Sequence, residues 1–267
     1  MRHHLNETSK VRPNVNSSFE SGQWYAVGGS AALAAGRLMP ATVLESEMVV
    51  WRDSRGAVHA WHNRCIHRGL RMTLGFVDGD TLACRYHGWR YGAGGKCKVI
   101  PAHPGMIPPD DFQIPAYAVC EHAGLIWASI GAAGDSVDFD GPGEHLRFCR
   151  DLVVRQAPDR VAALARRAIF RPYGNDKDDI IYEHQEIAPS VIRINARSGG
   201  GSGGGSATIM LAIQPISSDR TGVHVLAGGE TTDERLHYAA WARRLRWFME
   251  NPDAANSSWN PLSDGHS

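Results

Sequence analysis

The feature that most restricts this chain is a pair of mixed Cys/His segments. Cys65-Ile66-His67 is separated by sixteen residues from Cys84-Arg85-Tyr86-His87. Each segment offers one thiolate and one imidazole, so two short loops can bring two sulfur and two nitrogen donors to a common centre. Zinc accepts such a set, but zinc fingers group Cys with Cys and His with His. The mixed segments fit a [2Fe–2S] cluster, with one iron on Cys65 and Cys84 and the other on His67 and His87. Two neutral imidazoles leave that cluster less negative than four thiolates would, so its potential is higher. The fold has to hold both loops side by side.

The flanks agree with this reading. Gly69 and Gly88 let the backbone come close to a cluster where a Cβ would clash. Backbone N–H groups there can donate to cluster sulfur. Tyr86 and Trp89 can exclude water from one side. With Cys65-Ile66-His67-Arg68-Gly69 and Cys84-Arg85-Tyr86-His87-Gly88-Trp89, the chain resembles the two boxes of Rieske domains. More narrowly, it resembles the α subunits of Rieske non-haem iron oxygenases of the phthalate dioxygenase and vanillate O-demethylase type. Arg68 and Trp89 carry that narrower resemblance. Rieske proteins of respiratory cytochrome complexes have two further cysteines where this chain has Leu70 and Tyr86. The resemblance covers about residues 24–130 and weakens beyond. It implies that Cys65, His67, Cys84 and His87 hold the cluster, with Arg68, Gly69, Tyr86, Gly88 and Trp89 around it.

Strand and turn signals place these loops in a β-rich domain at residues 23–131. Residues 43–51 are rich in β-formers and read as one strand. Asp53-Ser54-Arg55-Gly56 turns the chain into a second strand at 58–61, making a hairpin. Asp78-Gly79-Asp80, the glycines at 92–95 and Glu121-His122-Ala123-Gly124 mark further turns. Many short strands with Gly turns argue for a small barrel or sandwich. Residues 1–22 are polar and read as a flexible leader without the apolar stretch of a secretory signal.

The texture changes after Gly131, and residues 132–267 read as a reduced α+β unit. Pro158-Asp159 opens a short helix. Strands are expected at 178–187, 191–196, 207–213 and 223–226. Thr231 and Glu234 form a capping-box pair, and the helix behind it directs Leu236, Trp241, Leu245 and Phe248 to the core. Residues 198–206 read Ser-Gly-Gly-Gly-Ser-Gly-Gly-Gly-Ser, the pattern of a designed flexible connector. The fold class is mainly β with some α: a [2Fe–2S] β domain followed by a helix-plus-sheet remnant of an oxygenase catalytic domain.

In the 267 residues, Lys plus Arg equals Asp plus Glu at 28 each. That balance argues against a nucleic-acid binder. No apolar run of about 18 residues is present, so no membrane span is expected. Five cysteines, an odd number, do not form a disulfide framework and point to a reducing cytoplasm.

Oxygenases of the resembled family also carry a mononuclear Fe(II), held by two His and a carboxylate that leave positions open for dioxygen. Past His87, no two histidines are four or five residues apart. Glu183, His184, Glu186 and His224 are candidates only if distant strands meet, and read better as structural or surface groups. No catalytic residue is assigned, and mononuclear iron is doubtful. The expected function is electron transfer from a reductase or ferredoxin to a mononuclear iron, in a trimer or beside an intact oxygenase subunit. Rival readings are a complete monooxygenase or demethylase with unrecognised ligands, and a redox module without enzymatic activity.

Overall fold

Short apolar runs broken by Gly and Asp turns become strands over most of the chain. The computed structural model describes residues 18–133, 137, 146–175, 179–199 and 206–253. The first half contains β1 (Trp24–Gly29), β2 (Leu38–Val43), β3 (Ser46–Arg52), β4 (Val58–His62), β5 (Phe76–Asp78), β6 (Thr81–Ala83), β7 (Arg90–Tyr91), β8 (Cys97–Val99), β9 (Ala116–His122) and β10 (Leu125–Ser129). Six of these form an antiparallel sheet in the order β1-β10-β9-β4-β3-β2, and β5-β6-β7-β8 form a small second sheet. The second half contains β11 (Arg147–Val154), α1 (Pro158–Ala165), β12 (Ile180–Ala188), β13 (Val191–Ser198), β14 (Ser206–Ser217), β15 (Arg220–Ala227) and α2 (Thr232–Glu250). Its sheet runs β11-β15-β14-β13-β12. The chain is mainly β with some α, as its sequence indicates.

One turn differs from the sequence reading. Residues 43–51 are not a single strand, because Leu44 and Glu45 adopt φ of 48° and 64°. They form a two-residue hairpin loop between Val43 and Ser46, which requires positive φ at both central positions. Neither residue favours that conformation. Their N–H groups donate to Pro215 and Ile216 carbonyls at 2.7 and 2.8 Å, so the turn is held by β14, about 170 positions away in the chain.

The same contacts show that the two halves share a core. Tyr25, Val43, Met48 and Ile126 from the first half pack in one buried cluster with Leu211, Ile213, Val225 and Trp241 from the second. Gln214 Nε2 donates to the Thr42 carbonyl at 2.8 Å. The boundary expected near residue 131 divides the sequence but not the core. Phe19, assigned to the leader, is buried against Tyr25 with ring centroids 6.1 Å apart. Residues 1–17 of that leader, and 200–205 of the Gly/Ser stretch, lie outside the described residues.

The α2 helix starts at the expected capping box. Thr231 Oγ1 accepts the Glu234 N–H at 3.2 Å, and the Glu234 carboxylate accepts the Thr231 N–H. Its buried face is Tyr238, Trp241, Ala242, Leu245, Phe248 and Met249. Leu236, expected on that face, is 62% exposed. The sheet contacts of α2 fall on β11 and β15, and Leu236, nine positions before Leu245, lies about half a turn round the helix from the buried face.

Candidate metal centre

The two Cys/His segments form two loops of matching hydrogen bonding. In the first, Gly69 N–H donates to the Cys65 carbonyl at 2.8 Å and Cys65 N–H to the Leu70 carbonyl at 2.9 Å. In the second, Gly88 N–H donates to the Cys84 carbonyl at 3.0 Å and Cys84 N–H to the Trp89 carbonyl at 2.9 Å. Each loop turns at a glycine of nearly equal φ, 70° at Gly69 and 71° at Gly88. That positive φ gives the physical reason for the glycines. A Cβ on Gly69 would meet no protein atom within 4 Å, and one on Gly88 would meet only the Pro101 ring, 3.0 Å away at its nearest atom. A turn requirement at both glycines thus stands beside the close approach to a cluster expected from the sequence.

Asn63 anchors the first loop. Its side-chain oxygen accepts the Thr73 N–H at 2.9 Å, and its carbonyl accepts the Met72 N–H at 3.3 Å. Glu47 braces the same loop from outside, bound to Arg71 and Arg64 at 2.5 and 3.4 Å. The Arg71 hydrogen bond holds the Glu47 carboxyl below its ordinary range.

The four candidate ligands come together with their donors sorted. Cys65 and Cys84 are each 3% exposed, and both are free thiols. His67 and His87 reach the surface, with their Nδ1 atoms 3.1 Å apart. Burial pushes the Cys84 thiol up, the N–H groups of Tyr86 and His87 act against that, and neighbouring Cys65 adds to it. Below the thiols lies a hydrophobic layer that includes Trp51, Trp61, Met72, Leu82 and Tyr91. The aromatic flanks hold the imidazoles in place. His67 stacks on Trp89 at 4.6 Å and 5°, Trp89 stacks on Phe112, and His87 stacks on Tyr86 at 3.8 Å. Tyr86 is 58% exposed, so it covers one imidazole face rather than sealing the site. Arg68 is exposed and forms no ion pair with a described residue.

These residues fit a cluster with mixed ligands. Two nitrogens on one tetrahedral metal at bonds of about 2.1 Å stand about 3.4 Å apart, close to the observed Nδ1 separation. The thiols sit deeper, beside backbone N–H groups that suit sulfur carrying negative charge. Tyr91 and Asn63 escaped the sequence reading. Tyr91 lies two residues past Trp89, and only the fold brings its hydroxyl to Cys65.

The two histidines considered for a mononuclear site, His184 and His224, make other contacts. His184 on β12 contacts the Ala168 carbonyl through Nε2 at 2.6 Å. His224 on β15 lies between Asp151, 2.5 Å from Nδ1, and Gln214, 2.9 Å from Nε2. Strands β13 and β14 separate the two histidines in the sheet. Glu186 pairs with Arg166. Among the described residues, no three His, Cys, Asp or Glu side chains are placed to hold a single ion. His145 and His266 lie outside the described residues.

Comparison with known proteins agrees with this geometry. The model of the Rieske [2Fe-2S] domain matches residues 23–118. Oxidoreductase NdmD of Pseudomonas putida is 41% identical over 130 residues, covering 48% of this chain and 21% of that protein. The oxygenase component of chloroacetanilide N-alkylformylase from Rhizorhabdus wittichii is 34% identical over 127 residues, covering 48% of this chain and 36% of that protein. The chain thus spans about a fifth to a third of the length of these relatives. Among solved structures, Pseudomonas putida CBB5 NdmA superimposes with a TM-score of 0.67 at 20% identity, over 89% of this chain and 82% of that one. The likeness of fold therefore continues past residue 130.

Proposed function

We propose, from the premise that this chain is a Rieske oxygenase-family protein with its [2Fe–2S] domain at residues 23–118, that it works as an electron-transfer component. It receives single electrons from a reductase or ferredoxin and passes them to the mononuclear iron of an oxygenase component. Cys65 and Cys84 hold one iron of the cluster, and His67 and His87 hold the other. When bound, the cluster takes up and gives back one electron. The residues around it set the conditions for that exchange. Buried sulfur ligands and the layer under them keep water from the inner side, while the exposed imidazoles form the edge through which partners couple.

The observation that carries this reading is the sorted pairing of two buried thiols and two surface imidazoles on twin loops. The commitment of His184 and His224 to other partners supports transfer to an iron outside this chain. The partner is accordingly an intact oxygenase subunit, in a trimer or hetero-oligomer. Five free thiols suit a reducing compartment, so the cytoplasm belongs to the same proposal.

Iron and acid-labile sulfide per chain, with an EPR spectrum of the reduced protein, test it. Two irons, two sulfides and a Rieske-type signal with average g below 2 are expected. Three irons would indicate a complete oxygenase, and zinc without sulfide would overturn the reading.

A further inference from the structure

The sheet of the second half ends in two different edges. On one side β11 is interrupted by a bulge between Phe148 and Arg150 and exposes Arg147, Arg150 and Asp151. Bulges and edge charges of this kind keep a strand from pairing further. On the other side β12 runs in unbroken register with β13 from Ile180 to Glu186. It carries no Lys, Arg or Pro over its nine residues. Among the described residues, its backbone bonds only to β13. A row of N–H and C=O groups therefore faces outward along β12 without the usual guards of an edge strand. Tyr182 and His184 point to one face of the sheet, where they meet the Phe170 and Ala168 carbonyls at 2.8 and 2.6 Å. Ile181, Glu183 and Gln185 consequently point to the other face, and Ile181 is 45% exposed.

Residues 181–187 read Ile-Tyr-Glu-His-Gln-Glu-Ile, nearly the same from either end. We infer that β12 pairs antiparallel with β12 of a second copy of this chain, about a two-fold axis at His184. Ile181 then stands opposite Ile187 of the copy, Tyr182 opposite Glu186, and Glu183 opposite Gln185. Apolar meets apolar, and each carboxylate meets a hydroxyl or an amide. The register follows from the same residues. An axis at Glu183 would oppose two carboxylates, and one at Gln185 would set Ile187 against Glu183. Head-to-tail growth needs β11 as the second edge, and its bulge and charges bar that. An extended segment of another protein has the same backbone groups to bond, but the near-palindrome is matched by the chain itself. The pairing also leaves room for a ring of three. β12 belongs to the sheet of the second half and the imidazoles to loops of the first, so the two contacts use different surfaces. A two-fold contact at β12 then joins such rings in pairs.

Sedimentation velocity of the cluster-loaded full-length protein, with light scattering for absolute mass, tests the pairing. The unaltered protein should form an assembly with an even number of chains. Ile181→Lys combined with Gln185→Lys puts charge along the edge and should lower that mass about twofold. Val153→Lys, at a position 41% exposed on β11, should leave it unchanged. Glu183→Cys combined with Gln185→Cys sets thiols opposite each other across the pair, with Cβ atoms about 5 Å apart. Oxidised glutathione should link that variant into covalent dimers on a non-reducing gel, while Val153→Cys stays unlinked. Should the lysine variant fail to fold, the cysteine pair still decides. A single-chain or odd-numbered mass for the unaltered protein would overturn the pairing and leave the edge to a segment of another protein. An even-numbered assembly indifferent to the β12 lysines would overturn it as well, by placing the contact elsewhere. The Rieske-type EPR signal reports the electron-transfer reading separately, because it does not depend on which of these masses is found.

Discussion

The Tyr91 hydroxyl lies 3.1 Å from the Cys65 sulfur, within the buried layer under the twin loops. Burial and the nearby Cys65 push the Tyr91 phenol well above its ordinary range, so it stays a proton donor at any physiological pH. A hydrogen bond to a ligating sulfur favours the more negative, reduced state. Tyr91→Phe should therefore lower the midpoint potential while keeping the cluster. A differential of about 1.4 kcal/mol corresponds to about 59 mV for one electron. Redox titration followed by EPR measures it, and an unchanged potential would remove Tyr91 from the electrostatics of the site.

Gly75 sits where a side chain has no room. A Cβ there would stand 2.2 Å from the Ala83 carbonyl oxygen, on the residue preceding Cys84. Its φ of −78° is ordinary, so space alone demands glycine. Gly75→Ala should cost about 1–3 kcal/mol by overpacking and reduce cluster content by displacing the second loop. Thermal unfolding and sulfide content check this, and a fully loaded variant of normal stability would refute it.

Asp53 makes the protein acid-sensitive at the β3–β4 turn. Burial alone would raise its pKa, but the Ala57 N–H, His59 and the Arg55 N–H together outweigh it and hold the carboxyl below its ordinary value. Its Oδ1 accepts both N–H groups at 2.9 Å. Because the folded pKa is depressed, the stabilisation is fully present above the unfolded value of about 3.9 and is lost as pH falls through the lower folded value. Asp53→Asn should lose about 1–2 kcal/mol at neutral pH and show a flatter acid limb in urea titrations run at several pH values.

Supplied with NADH and a reductase, the isolated chain should accept an electron yet oxidise no aromatic or N-methyl substrate above background. His184 and His224 act as struts in this account. His224→Ala would leave the buried Gln214 oxygen without its partner and cost about 1–3 kcal/mol without altering the EPR signal. Product formation that disappears in His184→Ala or His224→Ala would show these residues to be iron ligands.

Much of the fold was readable because it depends on local chemistry. The Asp53 to Gly56 turn, the Asp78-Gly79-Asp80 turn and the Thr231–Glu234 capping box each involve groups within a few residues of one another. β11 was missed: its residues, Arg147 to Val154, mix exposed charge with apolar positions and carry no clean alternation. Leu236 was misplaced because, nine positions before Leu245, it lies about half a turn round the helix from the buried face.

What the sequence alone determined is the donor set. The spacing of Cys65, His67, Cys84 and His87, with a glycine closing each loop, is a covalent and backbone matter that requires no distant partner. Tertiary structure decided which donors are buried and which face solvent, and it brought Tyr91 to Cys65. It also held Leu44 and Glu45 in a strained turn against β14, and occupied His184 and His224 with carbonyl, carboxylate and amide partners. Each of these depends on contacts between residues far apart in the chain, whose energies exist only once the shared core has formed.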